Sequence, residues 1–194
     1  AIGVLADGRR SVLGVAVALS EAEVHWREFL QSLTKRGLHG VELITSDAHE
    51  GLKAARKAVL GSVPWQRCQF HLQQNAQAYV PKTDMKTEVA ETIRDVFNAP
   101  NLEAAQRRLD AAVERYRERA PKLAGWMEEN LPEGLSVFRI PKAHRRQLRT
   151  SNWLENLNGK LRKRTSVVGL FPNEDSILRL VSAFLRDTDE RWLT

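Results

Sequence analysis

The sequence has 194 residues, 42% hydrophobic and 28% charged, enough for one globular domain with a core and incompatible with a disordered chain. Its net charge of +6 suits nucleic acid, an acidic protein or an anionic membrane surface as partner. A single cysteine, Cys68, excludes an internal disulfide, and the longest apolar run, Leu13 to Leu19, is far too short to span a bilayer, so a cytoplasmic protein outside the membrane is expected.

Taken in order, Ala1 to Leu5 and Ser11 to Leu19 read as two antiparallel strands joined at Asp7-Gly8, a hairpin turn signal. Because the chain opens inside a strand-like run, a piece of a longer protein is expected. Ser20-Glu21-Ala22-Glu23 has the form of a capping box. Trp26, Phe29, Leu30 and Leu33 then recur at helical spacing until Gly37, which predicts a helix packed on the sheet. Val41 to Thr45 reads as a short buried strand, followed by a helix carrying Leu52, Ala55 and Val59. Asp47 falls at that strand's carboxyl end, where open α/β sheets bind ligands, and also where a helix N-cap is expected; both readings stand. Trp65 to Phe70 reads as a further strand leading into His71.

From Lys82 to Leu135 the chain becomes long, charged and helical. Val89, Ile93, Val96 and Phe97 form one apolar stripe, and Leu109, Ala112, Val113 and Tyr116 form another, so a helical hairpin is predicted. Trp126 has either a place in that core or an unpaired base to stack on. The boundaries expected are a first core part at 1–81, a helical insertion at 82–145 and C-terminal helices at 146–194. The last of these opens at Asn173-Glu174-Asp175-Ser176, an N-cap with an acidic first turn.

The segment Thr150 to Thr165 sets one carboxylate, Glu155, in the most basic part of the chain: Arg139 to Arg164 holds nine Lys or Arg and a single acid. Leu154, Leu157 and Leu161 recur at helical spacing, placing Asn152, Glu155, Gly159 and Arg162 on one polar face. This is either a solvated basic helix or a face for phosphodiester, and Gly159 is either a tolerated weakness or a point of close backbone approach. Cys68 and His71, spaced C-x-x-H, lack the further ligands of a structural zinc site, and Cys68 reads as a small buried strand residue. Two carboxylates on separate elements, Asp47 and Glu155, suit a divalent metal held by oxygen.

Together ITSDAHEGLKAA around Asp47, CQFH from Cys68 to His71, the helical stretch after it and TSNWLENLNGKLRKRT around Glu155 lie in the order of a known family. The chain resembles the catalytic core of bacterial insertion-sequence transposases of the Mutator-like superfamily. That resemblance implies an α/β, RNase H-like mixed sheet flanked by helices, with an all-α insertion before the last catalytic helix and the first strand lying outside this chain. It implies metal-dependent cleavage of DNA at transposon ends and strand transfer to target DNA, with Mg2+ or Mn2+, two ions, as cofactor and a homo-oligomer as the acting form. Asp47 matches the second acid of a DDE triad and Glu155 the third, both as metal ligands. Cys68, His71, Asn152 and Asn158 match positions beside them, and no residue matches the first aspartate. Arg145, Arg146, Arg149, Lys160, Arg162, Lys163 and Arg164 are the expected DNA contacts. A non-catalytic or relic DNA-binding module and a metal-dependent nuclease or resolvase on the same fold remain the alternatives.

Overall fold

The structure is a computed structural model and describes residues 1–193. It is mixed α/β and mostly helical, with small sheets. The chain divides into two compact units: Ala1–Val41, Ala48–Ser62 and Ser151–Thr194 form one, Glu42–Asp47 and Val63–Thr150 the other.

In the first unit, β1 (Ile2–Val4) and β2 (Arg10–Val12) form an antiparallel hairpin with Val4 opposite Arg10. Asp7 closes the turn by accepting from the Arg9 amide at 2.9 Å and from Arg9 Nε at 2.7 Å, while Gly8 adopts a φ of 86°. The second strand is much shorter than its apolar run. Pairing ends with the Leu13 amide, which donates to the Ala1 carbonyl, and the Gly14 carbonyl, which accepts from the Ala1 amino group at 2.8 Å, and residues 16–19 are exposed. An apolar run becomes a strand only where a neighbour takes up its backbone groups.

Helix α1 (Glu23–Lys35) begins at Ala22 with no side-chain cap, so the predicted capping box does not form; Glu23 pairs instead with Arg27 one turn on. Its end is as read. The Leu38 amide donates to the Leu33 carbonyl and the Gly37 amide to the Thr34 carbonyl, a Schellman closure in which Gly37 takes a φ of 98°. The main neighbour of α1 is helix α2 (Glu50–Leu60) rather than the hairpin. The hairpin is covered by the C-terminal helix α9 (Glu174–Leu193), whose Val181 and Leu185 form a small core with Leu157, against which Ile2 and Val12 pack. Asn173 caps α9 through its side chain, accepting from the Ser176 amide at 2.9 Å.

In the second unit, β3 (Ile44–Ser46) and β4 (Trp65–Arg67) run parallel, with Ile44 opposite Trp65 and Ser46 opposite Arg67. Both are shorter than read. The pairing starts where the Ile44 amide reaches the Pro64 carbonyl, and β4 stops at Arg67 because the chain turns into helix α3 (Gln69–Ala76). Cys68 is therefore the N-cap residue of a helix rather than a strand residue.

The large core belongs to this unit. Helices α4 (Lys86–Phe97), α5 (Leu102–Tyr116) and α6 (Pro121–Asn130) bury Val89, Ile93, Val96, Phe97, Leu109, Ala112, Val113, Tyr116, Leu123 and Met127. The two predicted stripes are the facing surfaces of α4 and α5. Trp126 is buried and stacks on Tyr79 with ring centroids 5.5 Å apart, so it belongs to the core and has no face for a base. No described helix is long and apolar enough to cross a membrane.

Candidate functional site

Parallel pairing fixes the first part of the site. Ser46 and Arg67 are partners at the carboxyl ends of β3 and β4, so the residues that follow, Asp47 and Cys68, leave the ladder side by side. The Cys68 amide donates to the Ser46 carbonyl at 2.9 Å, carrying the pairing one step further. His71 comes in the first turn of α3, and its Nδ1 lies 2.6 Å from Asp47 Oδ1. A carboxylate only accepts, so the imidazole carries its proton on Nδ1 and donates. Among possible ligand atoms, one each from Asp47, Cys68 and His71 lie within 4.8 Å of one another.

The three differ in exposure: Asp47 is open to solvent, His71 half-buried and Cys68 fully buried. Asp47 is not a helix cap. The N-cap of α2 is His49, and no side chain caps that helix. Their supports are buried and polar. Gln66 donates to the carbonyls of Arg67 and Gly134 and accepts from the Val137 amide, fastening β4 to the turns at 131–139. Gln69 donates to the Gly134 carbonyl from its side chain and to the Arg149 carbonyl from its backbone. Arg67 pairs with Glu133 at 3.0 Å and donates to Asn130.

Glu155 lies in the other unit, on helix α8 (Asn152–Val168). Of the leucine seam, Leu157 is buried, Leu161 packs on the core it shares with Val181 and Leu185, and Leu154 is half-buried. Asn152, Glu155, Asn158 and Gly159 are exposed. Ser151, which precedes the helix, donates its hydroxyl to Glu155 Oε1 at 2.7 Å. A β-carbon at Gly159 would meet nothing within 4 Å, so packing in this structure does not explain that glycine. The turn is clamped from β2, where the Arg10 guanidinium lies 3.9 Å from the Trp153 ring centroid and 4.7 Å from that of Trp192.

The basic residues separate by role. Lys160, Arg162, Lys163 and Arg164 are exposed on α8, Arg164 lying 4.5 Å from the Phe184 ring. Arg146 is exposed on the short helix α7 (Lys142–Leu148). Arg145 is engaged within its own unit, donating to the carbonyls of Ile140, Pro100 and Phe138. Arg149 donates to Asn98 at 3.0 Å, and burial pushes its guanidinium below the usual value. Sequence reading passed over Ser151, Arg10, Trp153 and Gln66. Only Ser151 carried a local signal, its four-residue spacing to Glu155.

The comparisons with known proteins agree on one family. The family description "Transposase, Mutator family" matches residues 1–194. The chain is 56% identical over 194 residues to the transposase for insertion sequence element IS406 of Burkholderia multivorans, covering 100% of this chain and 50% of that protein. It is 39% identical over 193 residues to the ISRM5 transposase of Rhizobium meliloti, covering 100% of this chain and 48% of the relative. Over 195 residues it is 31% identical to the IS256 transposase of Tn4001 from Staphylococcus aureus, covering 100% of this chain and 50% of the relative. The chain thus spans about half the length of these curated relatives.

Proposed function

Because the chain belongs to the Mutator family of transposases, we propose that it is part of the catalytic core of a DDE transposase of RNase H-like fold, acting on transposon ends and target DNA. The observation that carries this reading is the grouping of Asp47, Cys68 and His71 at the carboxyl end of a parallel strand pair, the edge at which α/β sheets present ligand-binding groups. Asp47 takes the part of the second acid and Glu155 that of the third. Asp7 is engaged with Arg9, so no residue of this chain is assigned to the first.

The donor chemistry fits a hard cation. Asp47 and Glu155 offer exposed oxygens of the kind Mg2+ or Mn2+ accepts, whereas the buried Cys68 sulfur is no donor for Mg2+. Two such ions, when bound, supply charge neutralisation at the attacking and leaving oxygens of a phosphodiester. The chain's own residues orient and bind. Ser151 holds one oxygen of Glu155, and exposed Arg146, Lys160, Arg162, Lys163 and Arg164 meet phosphates. Arg145 and Arg149, engaged with their own unit, serve chiefly to hold the chain that carries them. Cleavage by water and joining by a DNA 3′-hydroxyl are both phosphoryl transfers requiring no covalent enzyme intermediate.

The test uses a full-length transposase carrying Asp47→Ala or Glu155→Ala on a substrate with transposon ends. Cleavage and strand transfer should both fall by about 10³-fold or more, with DNA binding retained. Cleavage preserved in either variant refutes the assignment. Cleavage without joining in the unsubstituted protein points to a nuclease or resolvase, and DNA binding alone points to a non-catalytic module.

A further inference from the structure

Asp47 is exposed at the end of a three-residue strand, and a carboxylate in such a place rotates freely unless something holds it. The geometry points to His71 as that positioning residue: its Nδ1–H fixes Asp47 Oδ1 and thereby sets the direction in which the carboxylate presents itself to a metal ion. This rests on the reading of Asp47 as a metal-binding acid. The contact is 2.6 Å, at the short limit for a nitrogen donor, and hydrogen bonds to an ionised acceptor are the shorter and stronger ones.

The imidazole is well placed to hold rather than follow. It stands on the first turn of α3, whose Leu72 and Ala76 are fully buried and whose Gln69 is tied through side chain and backbone to Gly134 and Arg149. The neighbouring Phe70 ring meets it edge-on at 5.4 Å. Asp47 and His71 are 24 positions apart, and the contact exists because β3 and β4 are parallel neighbours. Outer-shell donors of this kind alter metal affinity by about 10–100-fold when removed.

Two substitutions of opposite character separate positioning from packing. His71→Phe keeps the ring against Phe70 and removes the donor. His71→Asn shrinks the side chain and keeps an N–H near the place of Nδ1. In the full-length protein, cleavage of a transposon-end substrate is measured across a Mn2+ series, with thermal unfolding followed alongside. We expect the Phe variant to need at least tenfold more Mn2+ for half-maximal cleavage while its unfolding temperature stays close to the unsubstituted value. The Asn variant should stay within about threefold of the unsubstituted protein. A Phe variant with unchanged Mn2+ dependence overturns the inference, and so does the reverse order, in which Asn is the more damaging. An Asp47→Ala control keeps the two readings apart: if it cleaves normally, the assignment of Asp47 has failed, whereas an inactive control with a normal Phe variant rejects only the role of His71.

Discussion

At the residue scale, the acids differ in what holds them. Asp47 is gripped by an imidazole distant in sequence, and Glu155 by a serine four residues before it. On β4, paired with the strand that leads to Asp47, stands Gln66, whose amide satisfies two carbonyls and one amide in a fully buried place. Replacing Gln66 by Leu leaves those backbone groups short of partners, at about 1–3 kcal/mol for a buried group left unsatisfied. Chemical denaturation of the Gln66→Leu variant should show a loss in that range, and a loss under about 0.5 kcal/mol would mean that Gln66 contributes little. A glutamine between Trp65 and Arg67 gives no sign of this role in the sequence, because its partners at Gly134 and Val137 are brought to it by the helices between.

At the element scale, the helical hairpin was legible because its two apolar stripes keep a strict helical period, and burial follows that period. It also carries a titrating group. The Tyr116 side chain is fully buried, donating to Glu88 at 3.1 Å with Thr92 Oγ1 3.2 Å away. Burial of the phenol is the main cause that pushes its pKa up, opposed by the Thr92 hydrogen bond, with the Glu88 carboxylate pushing the same way as burial. A group raised in the folded state contributes stability that is complete below its unfolded value, about 10 for tyrosine, and is lost as pH rises through the folded value. Tyr116→Phe should cost about 1 kcal/mol at neutral pH and flatten the alkaline limb of the stability profile. Denaturation midpoints between about pH 8 and 11 check this. Parallel limbs for the two proteins would show that Tyr116 does not set the alkaline loss.

At the scale of the whole molecule, the cationic surplus is local, and on α8 it is exposed at Lys160, Arg162, Lys163 and Arg164. If these meet phosphates, log affinity for duplex DNA falls linearly with log salt, and Lys160→Ala with Lys163→Ala should reduce the slope by roughly two units with little change in sequence preference. Binding across a salt series decides it, and an unchanged slope would assign the helix to solvent.

By itself the sequence determined the helices that carry a periodic apolar stripe, α1, α2, α4, α5, α8 and α9, the hairpin turn at Asp7-Gly8, the caps at Gly37 and Asn173, and the basic setting of Glu155. Each of these depends on neighbours within about a turn, and periodicity records them directly. Only the tertiary structure decided how long the strands are, since backbone pairing needs a partner that the strand's own residues do not name. The ordered motifs placed Cys68 and His71 beside Asp47 by resemblance. Their physical meeting comes from the parallel register of β3 and β4, which sets Asp47 beside Cys68 and brings His71 round one turn later, a contact across 24 positions that no local pattern encodes.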